Sequence, residues 1–245
     1  MKIGERETAN PAEVAKAFNN FFSNVGSNLA NLIPSTTKNP MDYLPDKVVN
    51  SFSVFPTTSK EIEDEISKLK SGKAVGPFSI STDVLKLLKS VLSKPLEILF
   101  ISSFAVGIVP TDLKLANVIP VFKKGSQTLL SNYRPISLLS VFNKLLECLM
   151  YNRLIKYLEK QNILYEKQFG FRSKHSTDHA ILSIVDKIQK AIENRNYSCG
   201  IFLDFSKAFD TVDHKIMLLK LVYYGVRNNT LKLFTSYFQD RVQYV

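Results

Sequence analysis

Apolar residues recur along this chain with two different periods, and the switches between them mark out the elements. Val14, Phe18, Phe21, Phe22, Val25 and Leu29 share one face of a predicted helix. Asn10 suits its N-cap, Pro11 its first turn, Glu13 is placed to bond back to the cap, and Pro34 stops it. Pro34, Pro40 and Pro45 among small polar residues read as a linker over 34–50. A short strand at Phe52–Phe55 follows. Thr58 and Glu61 then have the spacing of a capping box for a helix carrying Ile62, Ile66 and Leu69. Helices are predicted over 82–92 and 95–106, separated at Pro95, with Gly107 and Pro110 as breakers. Strand period returns at Asn117–Phe122, and a long helix is expected over 140–161 with Phe142, Leu145, Leu146, Leu149 and Met150 inward. A second amphipathic helix spans 177–193, capped by Thr177, with Ile181, Ile184, Val185, Ile188 and Ile192 in register. Asn229 suits the cap of a last helix bearing Leu231, Leu233, Phe234 and Phe238, and 239–245 begins a strand. The mixture is that of an α+β fold with a helix-rich N-terminal region.

The stretch Ser198–His214 differs from its surroundings. Gly200–Phe205 is apolar except for Asp204, the pattern of a strand buried on both faces. Asp210 or Thr211 can cap a helix from about 213 to 224, which Gly225 ends. A buried carboxylate requires a cation or hydrogen-bond donors. Asp204 therefore either bonds backbone N–H groups at the strand end or does chemistry where strand gives way to loop.

Charge sharpens the picture. The 245-residue chain carries a net +10. Residues 1–120 hold 13 Lys and Arg against 12 Asp and Glu, whereas residues 121–245 hold 19 against 10. The second half, at +9, suits a polyanion lying against it, or is simply a basic solvated surface. Two cysteines, Cys148 and Cys199, make no disulfide framework and suggest a reducing compartment. The apolar uncharged run 98–111 is too short to span a bilayer. The expectation is a soluble intracellular protein.

The string Ile201-Phe-Leu-Asp-Phe-Ser-Lys-Ala-Phe-Asp-Thr-Val-Asp-His214 resembles the first catalytic motif of reverse transcriptases from non-LTR (LINE or jockey-like) retrotransposons. Two further blocks agree with that family in order and spacing. Val118-Ile-Pro-Val-Phe-Lys-Lys-Gly125 with Asn132-Tyr-Arg-Pro-Ile-Ser-Leu138 reads by itself as two strands whose tip carries Lys123, Lys124 and Arg134, cations suited to a triphosphate or merely solvated. Gln168-Phe-Gly-Phe-Arg-Ser-Lys-His-Ser-Thr177 offers two aromatics about Gly170, which stack a base or pack a turn. His175 and His179 are spaced as a helical metal pair, but a cap at Thr177 leaves His175 outside the helix and no Glu follows it, so zinc is not expected.

The resemblance implies a right-hand polymerase: an N-terminal helix and linker over 1–50, a helical extension over 51–116, fingers over 117–197 and a partial palm over 198–245. It implies that Asp204 and the Phe205 carbonyl hold catalytic Mg²⁺, with Mn²⁺ as an alternative. Lys123, Lys124 and Arg134 would hold the incoming dNTP, and Phe209 would exclude a 2′-hydroxyl. Gln168, Gly170, Arg172 and Lys174 would lie along an RNA template primed by DNA, with Phe169 packing. Nucleus or cytoplasm is the implied compartment. In the family, the loop 71–80 has an Asp where Phe78 stands here.

Two-metal nucleotidyl transfer needs several carboxylates. This chain contains no Asp-Asp pair, and Asp210, Asp213 and Asp240, the acidic residues beyond Asp204, are explained by capping or by position. The family's Pro-Gln-Gly block is also missing. The expectation is a reverse transcriptase truncated within the palm and inactive alone, or else a non-catalytic module binding RNA or an RNA–DNA hybrid.

Overall fold

A computed structural model describes residues 1–4, 6–34, 37–44, 47–77 and 80–245. Phe78 and Pro45 lie outside the described residues. A small hairpin, β1 (Lys2–Ile3) and β2 (Arg6–Glu7), precedes α1 (Pro11–Ala30). Then come α2 (Ser59–Lys68), α3 (Thr82–Leu87), α4 (Lys89–Val106), β3 (Leu115–Phe122), β4 (Tyr133–Leu139) and α5 (Val141–Lys160). The chain continues through α6 (Thr177–Glu193), α7 (His214–Tyr223), α8 (Asn228–Phe238) and β5 (Val242–Tyr244). The architecture is mixed helix and sheet, compatible with α+β. Among the described residues no helix is long and apolar enough to cross a membrane.

The main core lies between helices. Ile62 and Ile66 of α2, Leu96, Phe100 and Phe104 of α4, Leu145, Leu146, Leu149 and Met150 of α5, and Leu233 and Phe234 of α8 close it. A second, smaller core sits where Phe18 and Phe22 of α1 pack on Ala116 and Val118 of β3. The three-stranded sheet has the order β4-β3-β5, with β3 antiparallel to β4 and parallel to β5. Val121 lies opposite Arg134, and Pro120 opposite Pro135. Two facing prolines have no N–H to exchange, so the ladder tolerates them only at a pair that is not hydrogen-bonded.

Several element ends follow local chemistry. Asn10 accepts from the backbone N–H groups of Ala12 and Glu13, and Ser140 accepts from Asn143. Others differ from expectation for identifiable reasons. Helix α1 ends at Ala30, before Pro34, and Glu13 accepts from the Thr8 hydroxyl instead of closing a box. The helical break predicted at Pro95 falls at Leu88, and Pro95 sits inside α4. Ser176, not Thr177, caps α6, and Asp213, not Asp210 or Thr211, caps α7 through the N–H groups of Lys215 and Ile216. Asn229 lies inside α8 and donates to the carbonyl of Ala105. The expected strand at 52–55 is one bridge, Phe52 to Val226.

The largest corrections concern burial. Gly200–Phe205 is not a buried strand: it has no ladder partner, and Ile201, Phe202, Leu203 and Phe205 are 75–86% exposed. A central strand needs neighbours on both edges to take its N–H and C=O groups, and no described strand lies beside this one. Helix α6 forms where its period predicts, yet none of its residues is buried, and Ile181, Ile184, Val185, Ile188 and Ile192 are 42–68% exposed. Periodicity specifies which face a helix offers, not whether anything covers it.

One buried polar cluster joins the helices. Arg153 of α5, with a side chain 1% exposed, donates from Nε to the Phe55 carbonyl at 2.8 Å. Its two terminal nitrogens donate to both Glu61 carboxylate oxygens, at 2.9 and 2.8 Å, and to the carbonyls of Leu149 and Pro56, both at 3.0 Å. All five guanidinium N–H groups are thereby used. The guanidinium also sits 4.3 Å from the Phe55 ring centroid. Glu61, expected to reach back to Thr58, instead accepts from Thr57 and Arg153. Burial alone would raise its pKa, but the hydrogen bonds from Arg153 and Thr57 outweigh it and hold the carboxyl below its ordinary value.

Glu61→Gln strands a buried cation and should cost about 3–5 kcal/mol in urea unfolding, and adding Arg153→Met to it should recover part of that loss. Because the folded-state pKa of Glu61 is lowered, its stabilisation is complete above the unfolded carboxylate pKa and is lost as pH falls through the folded one. Thermal unfolding temperature should therefore drop on acidification below the ordinary carboxylate range, and drop less steeply in Glu61→Gln.

Candidate functional site

The β3–β4 hairpin and the loop 204–210 face each other across a cleft of about 780 Å³. One wall is built by β4 and the hairpin loop, through Lys123, Ser131, Tyr133, Arg134, Pro135 and Ile136. The other is the continuous stretch from Asp204 to Asp210. Two blocks separated by some seventy positions are thus brought together by the fold.

The hairpin wall is fixed by its own loop. Lys123 N–H donates to the Asn132 carbonyl at 2.9 Å, continuing the ladder past Phe122. The Asn132 amide donates to the Ser126 carbonyl at 2.8 Å, and the Tyr133 hydroxyl to the Gln127 carbonyl at 2.9 Å. Gly125 takes a φ of 91°, a left-handed conformation that glycine adopts without strain. Arg134 is an exposed strand residue next to the tip, so its fork is free to receive an anion. Lys124 is exposed at the tip but does not line the cleft.

The opposite wall is a turn. Asp210 N–H donates to the Lys207 carbonyl at 2.8 Å, and Lys207 itself has a φ of 50°. The Phe209 ring is 79% exposed and meets Phe171 edge to face, with centroids 5.8 Å apart. That contact ties the 168–177 block to the cleft. Asp204, expected in a buried strand, is instead exposed on the cleft wall.

The 168–177 block does not itself line the cleft. Gln168 donates its side-chain amide to the Gly170 carbonyl at 3.1 Å, and Arg172 reaches the Tyr165 carbonyl at 2.9 Å. Arg172 is therefore half-committed to folding its own loop. Lys174 is exposed with a φ of 62°. Phe169 is partly buried against the His175 ring, and His175 faces the His179 ring at 6.5 Å between centroids.

Lining residues that were not anticipated include Lys207, Tyr133 and Asp210. Lys207 and Asp210 stand within the 201–214 motif, three residues apart about its turn, and their position in the motif was the available signal. Chemically, the cleft sets two cations, Lys123 and Arg134, opposite two carboxylates, Asp204 and Asp210, with a third cation, Lys207, on the carboxylates' own wall. A hard divalent ion takes about six oxygen ligands, of which Asp204 and the Phe205 carbonyl could supply two, with phosphate or water oxygens completing the set. Two such donors are too few to hold a pair of ions.

A sequence model of the family described as reverse transcriptase (RNA-dependent DNA polymerase) matches residues 121–244. The chain is 35% identical over 166 residues to the RNA-directed DNA polymerase from mobile element jockey of Drosophila funebris, a match covering 67% of this chain and 18% of that relative. It is 33% identical over 180 residues to the jockey polymerase of Drosophila melanogaster, covering 73% and 20%. With the probable RNA-directed DNA polymerase from transposon BS of Drosophila melanogaster it shares 32% over 208 residues, covering 82% and 22%. The chain thus spans about a fifth of the length of these curated relatives. By the family match and by the mobile-element relatives, the chain belongs to the reverse transcriptase family, on its non-LTR retrotransposon side.

Proposed function

We propose that this chain supplies the fingers and the beginning of the palm of an RNA-directed DNA polymerase of LINE type, and that its cleft receives the triphosphate of an incoming dNTP. The observation that carries this reading is the single cleft that Lys123 and Arg134 share with Asp204, Phe205 and Phe209. A planar guanidinium and an ammonium on one wall suit phosphate oxygens, the first by paired hydrogen bonds and the second as a point charge. Asp204 and the Phe205 carbonyl would hold Mg²⁺, or Mn²⁺, on the other. Such an ion neutralises the triphosphate and lowers the pKa of a primer 3′-hydroxyl. The exposed Phe209 ring, steadied by Phe171, would pack under the sugar, where a 2′-hydroxyl has no room. Gln168, Gly170, Arg172 and Lys174 would lie along the RNA template, with the Phe209–Phe171 contact linking template and nucleotide sites. The DNA primer would end at Asp204. The setting would be the nucleus or cytoplasm.

A second reading is binding of RNA or an RNA–DNA hybrid without chemistry. The net +9 of residues 121–245 favours it.

With one metal-holding carboxylate and no Asp-Asp pair, the 245-residue chain should give no primer extension on an RNA template with dNTPs and Mg²⁺; extended product would refute that expectation. It should still bind dNTP in calorimetric titration, and Arg134→Ala should weaken that binding about tenfold or more, the worth of a charge-assisted hydrogen bond. Binding to an RNA–DNA hybrid should weaken with salt at a log–log slope of about −0.9 per phosphate neutralised, and a flat response would count against both readings.

A further inference from the structure

Helix α1 lies outside residues 121–244, yet it touches both walls of the cleft. On the hairpin side, Phe18 and Phe22 pack on Ala116 and Val118, and the Phe18 and Tyr133 rings meet edge to face at 4.9 Å. Tyr133 is itself a cleft residue and anchors the hairpin loop through Gln127. On the other side, the backbone of Gly26 approaches the Asp210 carbonyl so closely that a Cβ there would collide with it. One turn earlier, the Phe21 ring lies beneath Lys207, whose ammonium is 4.5 Å from the ring centroid. Apart from its own turn hydrogen bonds and the Phe209–Phe171 contact, little among the described residues holds the loop that α1 touches. Its residues 204–206 belong to no ladder, Phe205 and Phe209 are 75% and 79% exposed, and Lys207 holds a left-handed backbone. Such a conformation persists in a non-glycine residue only where its surroundings dictate it.

We propose that α1 is a brace that sets the separation of the two cleft walls, and that Phe21 positions Lys207 as a third phosphate-binding cation beside Lys123 and Arg134. The proposal rests on the triphosphate reading of the cleft for its ligand, but not for the brace. A lysine ammonium on a free four-carbon stem must be ordered when it meets an anion. Held over an aromatic face it is ordered beforehand, so less of the binding energy is lost to immobilisation. Gly26 serves the same end through the backbone: it lets the helix sit against the Asp210 carbonyl and so fixes the far end of the turn that Lys207 opens. Asp210, although a carboxylate on the cleft wall, is tied by its own N–H to Lys207, so the two move together.

The test uses the full chain, inorganic tripolyphosphate with Mg²⁺ as the probe, and hydrogen exchange as a second readout. Phe21→Leu should weaken tripolyphosphate binding about three- to tenfold, Phe21→Tyr should restore it, and Lys207→Gln should give a loss that does not add to that of Phe21→Leu. Phe21→Leu and Gly26→Ala should both speed exchange over 204–212 while leaving α5 unchanged, because α5 belongs to the other core. If both variants bind and exchange as wild type, or if Phe21→Tyr binds as poorly as Phe21→Leu, the proposal is overturned. Wild type that ignores tripolyphosphate while the variants still exchange faster would sink the triphosphate reading and Lys207's role in it, and leave the brace standing.

Discussion

Arg153 is a charge held almost wholly out of water, and it is tolerated there because each of its N–H groups meets an acceptor. Its acceptors come from three places in the chain: the extended segment at Phe55 and Pro56, Glu61 on α2, and Leu149 one turn back on α5. Satisfying all five donors ties α5 to α2 and to the segment before it, so the cluster constrains how α5 lies against α2. Removing either charged partner leaves the other in a poor solvent, which makes this arrangement intolerant of partial change. Directional demands of this kind select one packing among the many that the surrounding aliphatic side chains would accept.

The orientation of α5 in turn carries the cleft. Its cap residue, Ser140, directly follows β4, so strand and helix share a rigid junction. The Gly76 backbone packs into that junction against Leu139 and Ser140 too closely to admit a side chain. Arg134 and Lys123 therefore stand where α5 and the sheet put them. The opposite wall has no comparable anchor in the main core and leans on α1. The site is thus assembled from a rigid wall and a supported one, with cations and carboxylates set across the gap, an arrangement suited to an anionic ligand accompanied by a divalent cation.

The apolar surfaces left open bear on the same division. The stripe on α6 and the side chains at 201–205 have the composition of buried elements, and in this structure they face outward. Contiguous apolar surface is unfavourable in water and marks places where further contacts would be stabilising. A strand acquires its stability from neighbours, whereas a helix satisfies its own backbone. That difference explains why α6 forms with its stripe uncovered while 200–205 does not form a strand at all.

Local chemistry in the sequence determined the helices and their starts: Asn10 and Ser140 cap as their side chains dictate, α5 runs from 141 to 160 within one residue of its apolar pattern, and the two blocks around Lys123 and Arg134 pair as a hairpin. The motif about Asp204 was likewise legible as residues, but the place of Lys207 and Asp210 on the cleft wall was not. Tertiary structure alone decided what those patterns face. It exposed Asp204 where an apolar run suggested burial, sent Glu61 to Arg153 instead of to its own helix cap, and brought Phe21 of α1 beneath Lys207. The reason is physical. Caps, periods and turns depend on atoms a few residues apart, whereas burial, ion pairing and the walls of a cleft depend on partners distant in the chain, whose arrival only the packed molecule specifies.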